Sequence, residues 1–383
     1  MTKNYNYLPD QYKKNKLKIN HNYLSEQFSD YKQILEKITK VIKSNDFTLG
    51  REVDIFEKNI KKLINAKNVL AVGSGTDAIF LSLKCLGIKD GDEVITTPFT
   101  FYATIGAIVT AGAKPVFADI NYDYNIDPKE IEKKITKKTK AILPVHWAGK
   151  ICDMKKITEI SKKYSIPIVE DACHAILAKK NNKFAGNFGN MGCFSLHPLK
   201  NLNVWGDGGY IVVKNLSDFK KLSLMRNHGL VNRNKNLLFG YNSRLDTIQA
   251  VVANHLLKKL KFLTNKRISN ARYLDAKLKK IKDLELIKRE KNDIEVFHLY
   301  CLRIKTKRNK IIRELQKKNI DVKIHYPVPM HLQPAAKNMG YKKGDFPITE
   351  KIAKETISLP IHEFITKKNL DKIIEIFNRI YEK

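Results

Sequence analysis

Residues 191–209 read Met-Gly-Cys-Phe-Ser-Leu-His-Pro-Leu-Lys-Asn-Leu-Asn-Val-Trp-Gly-Asp-Gly-Gly, a short apolar run that passes into a polar turn carrying a single lysine, Lys200. Ser195 stands five residues before that lysine, and Gly206, Gly208 and Gly209 follow it, so the backbone can turn tightly and approach a ligand closely. An amine held on a rigid turn beside a hydroxyl suits imine formation with an aldehyde cofactor that carries a phosphate. The plain alternative is one surface lysine among many in a lysine-rich chain.

A second chemically loaded point is Asp171, which closes the apolar run containing Ile166, Ile168 and Val169. A carboxylate there is costly unless a cation meets it, and a protonated ring nitrogen is such a cation. The other reading is a helix cap or a partner for a lysine. His174 lies three residues on, as a cofactor neighbour or a satisfied core histidine. Gly75 and Thr76 sit in a Gly-Ser-Gly-Thr turn between a strand and a helix, where backbone N–H groups favour a phosphate or merely cap the helix. Phe101 follows a Pro-containing turn, either as a ring platform or as core.

The elements that must hold these groups alternate. Strands are predicted over 68–72, 94–97, 115–118, 141–145 and 166–169, and helices over 102–110, 129–135 and 154–164, with a further helix after 75. Such alternation implies a mainly parallel sheet sandwiched by helices, with ligands at the carboxyl ends of the strands. Every polar cluster named above falls at such an end. Two amphipathic helices precede the sheet: one with Phe28, Tyr31, Leu35, Ile38 and Ile42 inward, the next with Val53, Phe56, Ile60, Leu63 and Ile64. We therefore divide the chain into an arm (1–26), on the surface or on a partner subunit, a large ligand-binding domain (27–250), and a connecting helix (246–280) leading into a small α/β domain within 251–383.

At 383 residues the chain suits a large domain plus a smaller one. Its net charge of +32 points on its own to nucleic acid or an anionic surface. Lysine outnumbers arginine by roughly five to one and is scattered along helix faces, which argues against nucleic-acid binding. Five cysteines without a Cys-x-x-Cys spacing argue against a disulfide framework and a metal site. No apolar run approaches the roughly 20 residues of a membrane span, and no signal-peptide pattern opens the chain, so a cytoplasmic protein without a membrane partner is expected.

Taken in order, Gly-Ser-Gly-Thr-Asp-Ala (73–78), Thr-Pro-Phe-Thr-Phe-Tyr-Ala-Thr (97–104), Glu-Asp-Ala-Cys-His (170–174), Ser-Leu-His-Pro-Leu-Lys-Asn-Leu (195–202), Gly-Asp-Gly-Gly (206–209) and Gly-Tyr-Asn-Ser-Arg-Leu-Asp (240–246) resemble the pyridoxal-phosphate-dependent sugar aminotransferases of the DegT/StrS type. The resemblance implies the type I, aspartate aminotransferase fold and a transaminase using pyridoxal 5′-phosphate. By position, Lys200 matches the Schiff-base lysine, Asp171 the partner of the pyridine nitrogen, His174 the residue near the phenolic oxygen, and Phe101 the ring platform. Gly75, Thr76 and Ser195 match the phosphate cradle, and Asn242 a residue reaching the phosphate from the neighbouring subunit of a homodimer with shared sites. The family's dehydratase branch has histidine in place of the lysine, so Lys200 favours transamination.

The implied substrates are an amino-acid donor, glutamate as usual in the family, and a nucleotide-linked keto sugar. Asn242 to Asp246, with His228-Gly229 before them, look more like members that aminate C-3 of a 6-deoxyhexose than C-4. His325, Tyr326 and His331 lie where such enzymes approach the sugar, or belong to a Pro-rich structural loop. The competing class is a cofactor-binding regulatory protein without sugar turnover.

Overall fold

The computed structural model describes residues 18–21 and 23–381. Most of the expected arm, 1–17 and residue 22, lies outside them. Two helices open the main body, α1 (Tyr31–Ser44) and α2 (Arg51–Leu63). The alternation follows as β1 (Asn68–Val72), α3 (Gly75–Cys85), β2 (Glu93–Thr96), α4 (Tyr102–Thr110), β3 (Lys114–Phe117), α5 (Pro128–Lys133), β4 (Thr139–Ile142), α6 (Met154–Tyr164), β5 (Val169–Asp171), β6 (Met191–Ser195), β7 (Gly209–Val213) and α7 (Leu216–Met225).

These strands lie side by side in the order β3-β2-β4-β5-β6-β7-β1. Pairings β2–β3, β2–β4 and β5–β6 are parallel, and parallel bridges Ile142↔Ile168 and Val145↔Asp171 join β4 to β5. β7 alone among them runs antiparallel, to both β6 and β1. Because β7 is reversed, the connection from β6 doubles back at the carboxyl edge of the sheet. That connection, residues 196–208, carries Lys200, which therefore shares an edge with Asp171 at the end of β5 and with the turn after β1.

Strand interiors are apolar and buried on both sheet faces, as helices on either side require. Leu70, Val72, Val94, Leu143, Val169 and Ile211 face one helical layer, while Val69, Ala71, Ile95, Ile142 and Val212 face the other.

Three expectations shift. The strand at 166–169 forms instead at Val169–Asp171, because Pro167 has no N–H to give a ladder and only its carbonyl pairs, accepting from Ile142 N at 3.0 Å. The helix over 246–280 breaks at residues 258–259 into α8 (Thr247–Leu257) and α9 (Leu260–Leu278). α8 is buried almost all round and fills the large core, whereas the core of the small domain starts at Ala271 of α9. In α1 the buried stripe is Ile34, Ile38 and Val41, one step round the helix from the expected one, and Tyr31, Leu35 and Ile42 are exposed.

The small domain contains a three-stranded antiparallel sheet of β8 (Leu284–Leu286), β9 (Tyr300–Ile304) and, after α10 (Arg308–Lys317) and α11 (Pro347–Glu355), β10 (Thr356–Leu359). α12 (Lys367–Tyr381) packs on it with α9 and α10. Ile19 joins this core through a parallel bridge to Ile320, so the described part of the arm lies on its own chain.

The glycines after Lys200 serve the protein's own packing. A Cβ on Gly209 would stand 2.4 Å from the Ser74 carbonyl oxygen, so β7 meets the turn after β1 only because no side chain intervenes. A Cβ on Gly206 would meet only the end of the Gln249 side chain, at 3.2 Å. Gly209→Ala is therefore expected to cost about 1–3 kcal/mol of stability, with Gly206→Ala near neutral; urea midpoints of the two variants measured side by side check this.

Candidate active site

A cavity of about 510 Å³ opens at the carboxyl edge of the sheet. Asp171 and Val145 form its floor. The turn after β1 supplies Ser74, Gly75 and Thr76, the start of α4 supplies Phe101 to Thr104, and the β6–β7 connection supplies His197, Leu199 and Lys200 next to Ser195. The small domain closes one side with His298, Leu299, His325 and Tyr326.

Asp171 is buried, and both of its oxygens are fixed. Thr104 Oγ1 donates to Oδ2 at 2.8 Å, and the Cys173 amide donates to Oδ1 at 3.1 Å. Thr104 Oγ1 in turn lies 2.8 Å from Thr100 Oγ1. A carboxylate oxygen accepts more than one hydrogen bond, so a further donor in the cavity can still be met. Neighbouring Glu170 points to the opposite face, as strand alternation requires. There its oxygens accept from His146 Nε2 (2.8 Å), Gly186 N (2.8 Å) and Gly189 N (2.6 Å), which makes it a brace for the loop before β6.

Lys200 faces the floor from the other wall. Burial lowers its pKa, and the neighbouring Cys173 and Asp171 only partly oppose this. More of the neutral amine is present near neutrality than on a surface lysine. Since the folded state binds this proton less tightly than the unfolded state, its contribution to stability rises as pH climbs from the lowered value to the ordinary 10.5.

His174 is held neutral by burial, with Lys200 and His325 adding to the effect. Its Nδ1 is buried without a hydrogen-bond partner, and its ring lies 4.2 Å from that of His298 and 5.6 Å from that of Trp147. His298 is likewise held well below the usual histidine range by burial, and its Nδ1 is 3.3 Å from Asn201 Oδ1. Burial pushes His325 down to about 3.

At the turn after β1, Ser74 caps α3 by accepting from Asp77 N at 3.0 Å. The Gly75 and Thr76 amides fall in the first helical turn, where no intrahelical acceptor exists. A Cβ on Gly75 would lie 2.6 Å from Ser195 Cβ, so only glycine lets Ser195 come this close to the helix start. The ring of Phe101 stands at the mouth, 3.8 Å from Tyr102 and 6.0 Å from Tyr326 between centroids.

The cavity thus gathers Gly75, Thr76, Phe101, Asp171, His174, Ser195, Lys200, His325 and Tyr326. Two expected residues are not among its lining. His331 is buried in a satellite core, 3.2 Å from Glu350 Oε1 and against the Phe346 ring, and the preceding Met330 N donates to the Pro98 carbonyl at 2.9 Å. His331 therefore lies outside the lining of this cavity, within its Pro-rich loop. Asn242 is exposed, with a backbone bridge to Asn227, and does not line the cavity of its own chain.

Sequence reasoning missed Thr104 and His298. The i,i+4 pair Thr100 and Thr104 across a helix start was a readable signal; His298 carries no local signal, since only tertiary folding brings it to His174.

A fixed carboxylate at the floor, an amine with a lowered pKa, a glycine-hydroxyl cradle at a helix start and an unpartnered histidine nitrogen together fit a flat aldehyde cofactor with a ring nitrogen at one end and a phosphate at the other.

Comparison with known proteins agrees. Residues 29–378 match the DegT/DnrJ/EryC1/StrS aminotransferase family model. The chain is 38% identical over 362 residues to a pleiotropic regulatory protein of Geobacillus stearothermophilus, covering 94% of this chain and 97% of that one. It is 38% identical over 352 residues to dTDP-3-amino-3,6-dideoxy-alpha-D-galactopyranose transaminase of Aneurinibacillus thermoaerophilus, covering 91% and 95%. The crystal structure of S. venezuelae DesV in complex with a ketimine intermediate superposes with a TM-score of 0.92 at 31% identity, covering 95% of this chain and 99% of that one.

The lowered pKa of Lys200 gives a direct expectation. In cofactor-free protein near pH 7.5, a small amine-reactive reagent should label Lys200 ahead of the surface lysines, as time-resolved peptide mapping reads. Labelling no faster than the surface average would show that the amine is an ordinary one.

Proposed function

Because the chain belongs to the DegT/DnrJ/EryC1/StrS aminotransferase family, we propose that it transfers an amino group from glutamate to a nucleotide-linked keto sugar, at C-3 of a 6-deoxyhexose. The observation that carries the reading is the meeting of the Lys200 amine, the fixed Asp171 carboxylate and the Gly75–Ser195 cradle in one cavity. The C-3 assignment is supported by the 240–246 segment and by the name of the Aneurinibacillus relative, a 3-amino sugar transaminase. Transamination at C-4 is the alternative on the sugar side.

Pyridoxal 5′-phosphate is the cofactor, and when bound it supplies an electron sink for the donor and acceptor carbons. The chain's own groups do the rest. Lys200 is the amine that would bond the cofactor and move a proton at its Nζ as general base and acid; its lowered pKa suits both roles. Asp171 presents a fixed negative charge to a ring nitrogen, and Thr104 keeps that carboxylate aimed. The backbone amides of Gly75 and Thr76, with Ser195, hold the phosphate. Neutral His174 would stand near the cofactor's phenolic oxygen, and Phe101 at the mouth would cover its ring. His325 and Tyr326 form the wall next to the sugar.

The working form is a homodimer. Asn242 is exposed outside its own cavity, and three residues before it Phe239 is 99% exposed, which suits a loop covered by a partner subunit. Asn242 then reaches the phosphate in the partner's cavity.

A second reading, regulation without sugar turnover, is favoured by the name of the Geobacillus relative. Glutamate separates the two readings: an aminotransferase loses its cofactor–lysine absorbance on adding glutamate, and a mere binder does not. Amine transfer across a panel of nucleotide-linked 3-keto and 4-keto sugars, read by mass spectrometry, then assigns the position. Borohydride should fix the cofactor on Lys200; a label on another lysine overturns the assignment.

Asp171→Asn keeps size and a hydrogen bond but removes the charge. It should still bind the cofactor and slow the glutamate half-reaction at least about tenfold to a hundredfold, since a charge-assisted hydrogen bond is worth roughly 1.5–3 kcal/mol. A parent-like rate with cofactor fully bound would make Asp171 a structural cap. Separately inactive Lys200→Ala and Asn242→Ala chains, mixed under conditions of subunit exchange, should recover part of the activity in hybrid dimers. No recovery despite demonstrated exchange argues against a shared site.

A further inference from the structure

The segment before α1 touches both sides of the cavity without entering it. At its start Ile19 pairs with Ile320, and the Asp321 amide donates to the Ile19 carbonyl at 2.8 Å. His21 Nε2 lies 3.1 Å from the Ser358 carbonyl, and the hydroxyl of the same serine lies 2.9 Å from Nδ1 of His325, a cavity residue. Next, Tyr23 stacks on His362 at 5.0 Å, and its hydroxyl accepts from Arg267. Arg267 is itself locked by Glu363 at 2.8 Å and by the Phe297 carbonyl at 3.2 Å, directly before His298. Up to this point the segment belongs to the small domain.

A few residues later it holds the turn that carries Lys200. Gln27 Oε1 accepts from Asn203 Nδ2 at 2.9 Å, and the same amide group donates to the Pro198 carbonyl at 2.5 Å. Phe28 meets the ring of Trp205 edge-on at 5.5 Å. Asn203 thus clamps the turn on one side of Lys200 from the other, with Gln27 as the external support.

Both side chains are buried, and each leaves one amide atom, Gln27 Nε2 and Asn203 Oδ1, without a partner. A shape-matched apolar pair would avoid that cost, so the gain from a polar pair here is directional, one orientation of the turn rather than added stability.

We propose that residues 18–21 and 23–28 act as a strap that sets the Lys200 turn against the small-domain wall, with Gln27 a positioning residue acting through Asn203. Of the proposed function, this requires only that Lys200 is the reacting amine.

The test uses full-length holoenzyme and the variants Gln27→Met, which keeps length and loses the acceptor, and Gln27→Glu, which keeps an acceptor. Three quantities are read: the thermal midpoint, the single-turnover rate of the glutamate-driven absorbance change, and the pH at which the cofactor–lysine absorbance interconverts. Gln27→Met should slow the single turnover about tenfold, the effect of one lost hydrogen bond on the reacting geometry. It should also move the titration by at least about half a pH unit, with the cofactor still bound and the midpoint nearly unchanged, while Gln27→Glu recovers most of the rate. A rate and titration within twofold and a tenth of a unit of the parent overturn the proposal. So does a rate loss that merely tracks lost cofactor or lost folded protein. If Gln27→Met does not fold, Phe28→Leu is read in the same way, and parent-like values there overturn it. A parent enzyme with no glutamate response sinks the donor reaction instead, and the strap is then judged on the titration alone.

Discussion

The site depends on one buried charge. A carboxylate at the end of a buried strand is stable only if its oxygens are met, and at Asp171 the chain meets each of them once, with the Thr104 hydroxyl and the Cys173 amide. That leaves a fixed carboxylate in a cavity where burial pushes Lys200, His174, His298 and His325 toward neutrality.

The positions of the strand-end residues follow from the reversed strand. Were β7 parallel to its neighbours, the chain after Ser195 would have to cross to the far edge of the sheet, and Lys200 would leave the edge where Asp171 sits. Reversal makes the link a loop at the carboxyl edge. The glycine at the start of β7 then lets that strand pack on the turn after β1, so the helix-start turn and the lysine turn rest on each other.

Much of this was legible in the sequence because it is local. Helices over 102–110 and 154–164 and the first strand have the predicted bounds, and the strand-end placement of Gly75 and Asp171 follows from alternation, whereas that of Lys200 needs the reversed strand as well. What failed was set by tertiary structure. The inward face of α1 was misjudged because two apolar stripes, Tyr31-Leu35-Ile42 and Ile34-Ile38-Val41, share one helix, and packing chooses between them. Which way His331 points was not legible, because a histidine in a Pro-rich loop has no periodicity to say so. The contacts of Gln27 and His298 join parts of the chain that no window of sequence spans.

The sheet order also bears on how the site is made during synthesis. β1 finds its sheet partner in β7, where Asn68 opposes Val213, 145 residues later. Until that strand has left the ribosome, the turn at Ser74 lacks the support of Gly209, and β1 remains an unpaired, mostly apolar strand. At about 5–20 residues per second the intervening chain takes roughly 7–30 s to appear. Nascent chains halted before residue 209 would therefore expose a sticky strand and lack the packed form of the turn at Ser74, and the interval is long enough for a chaperone to act on them.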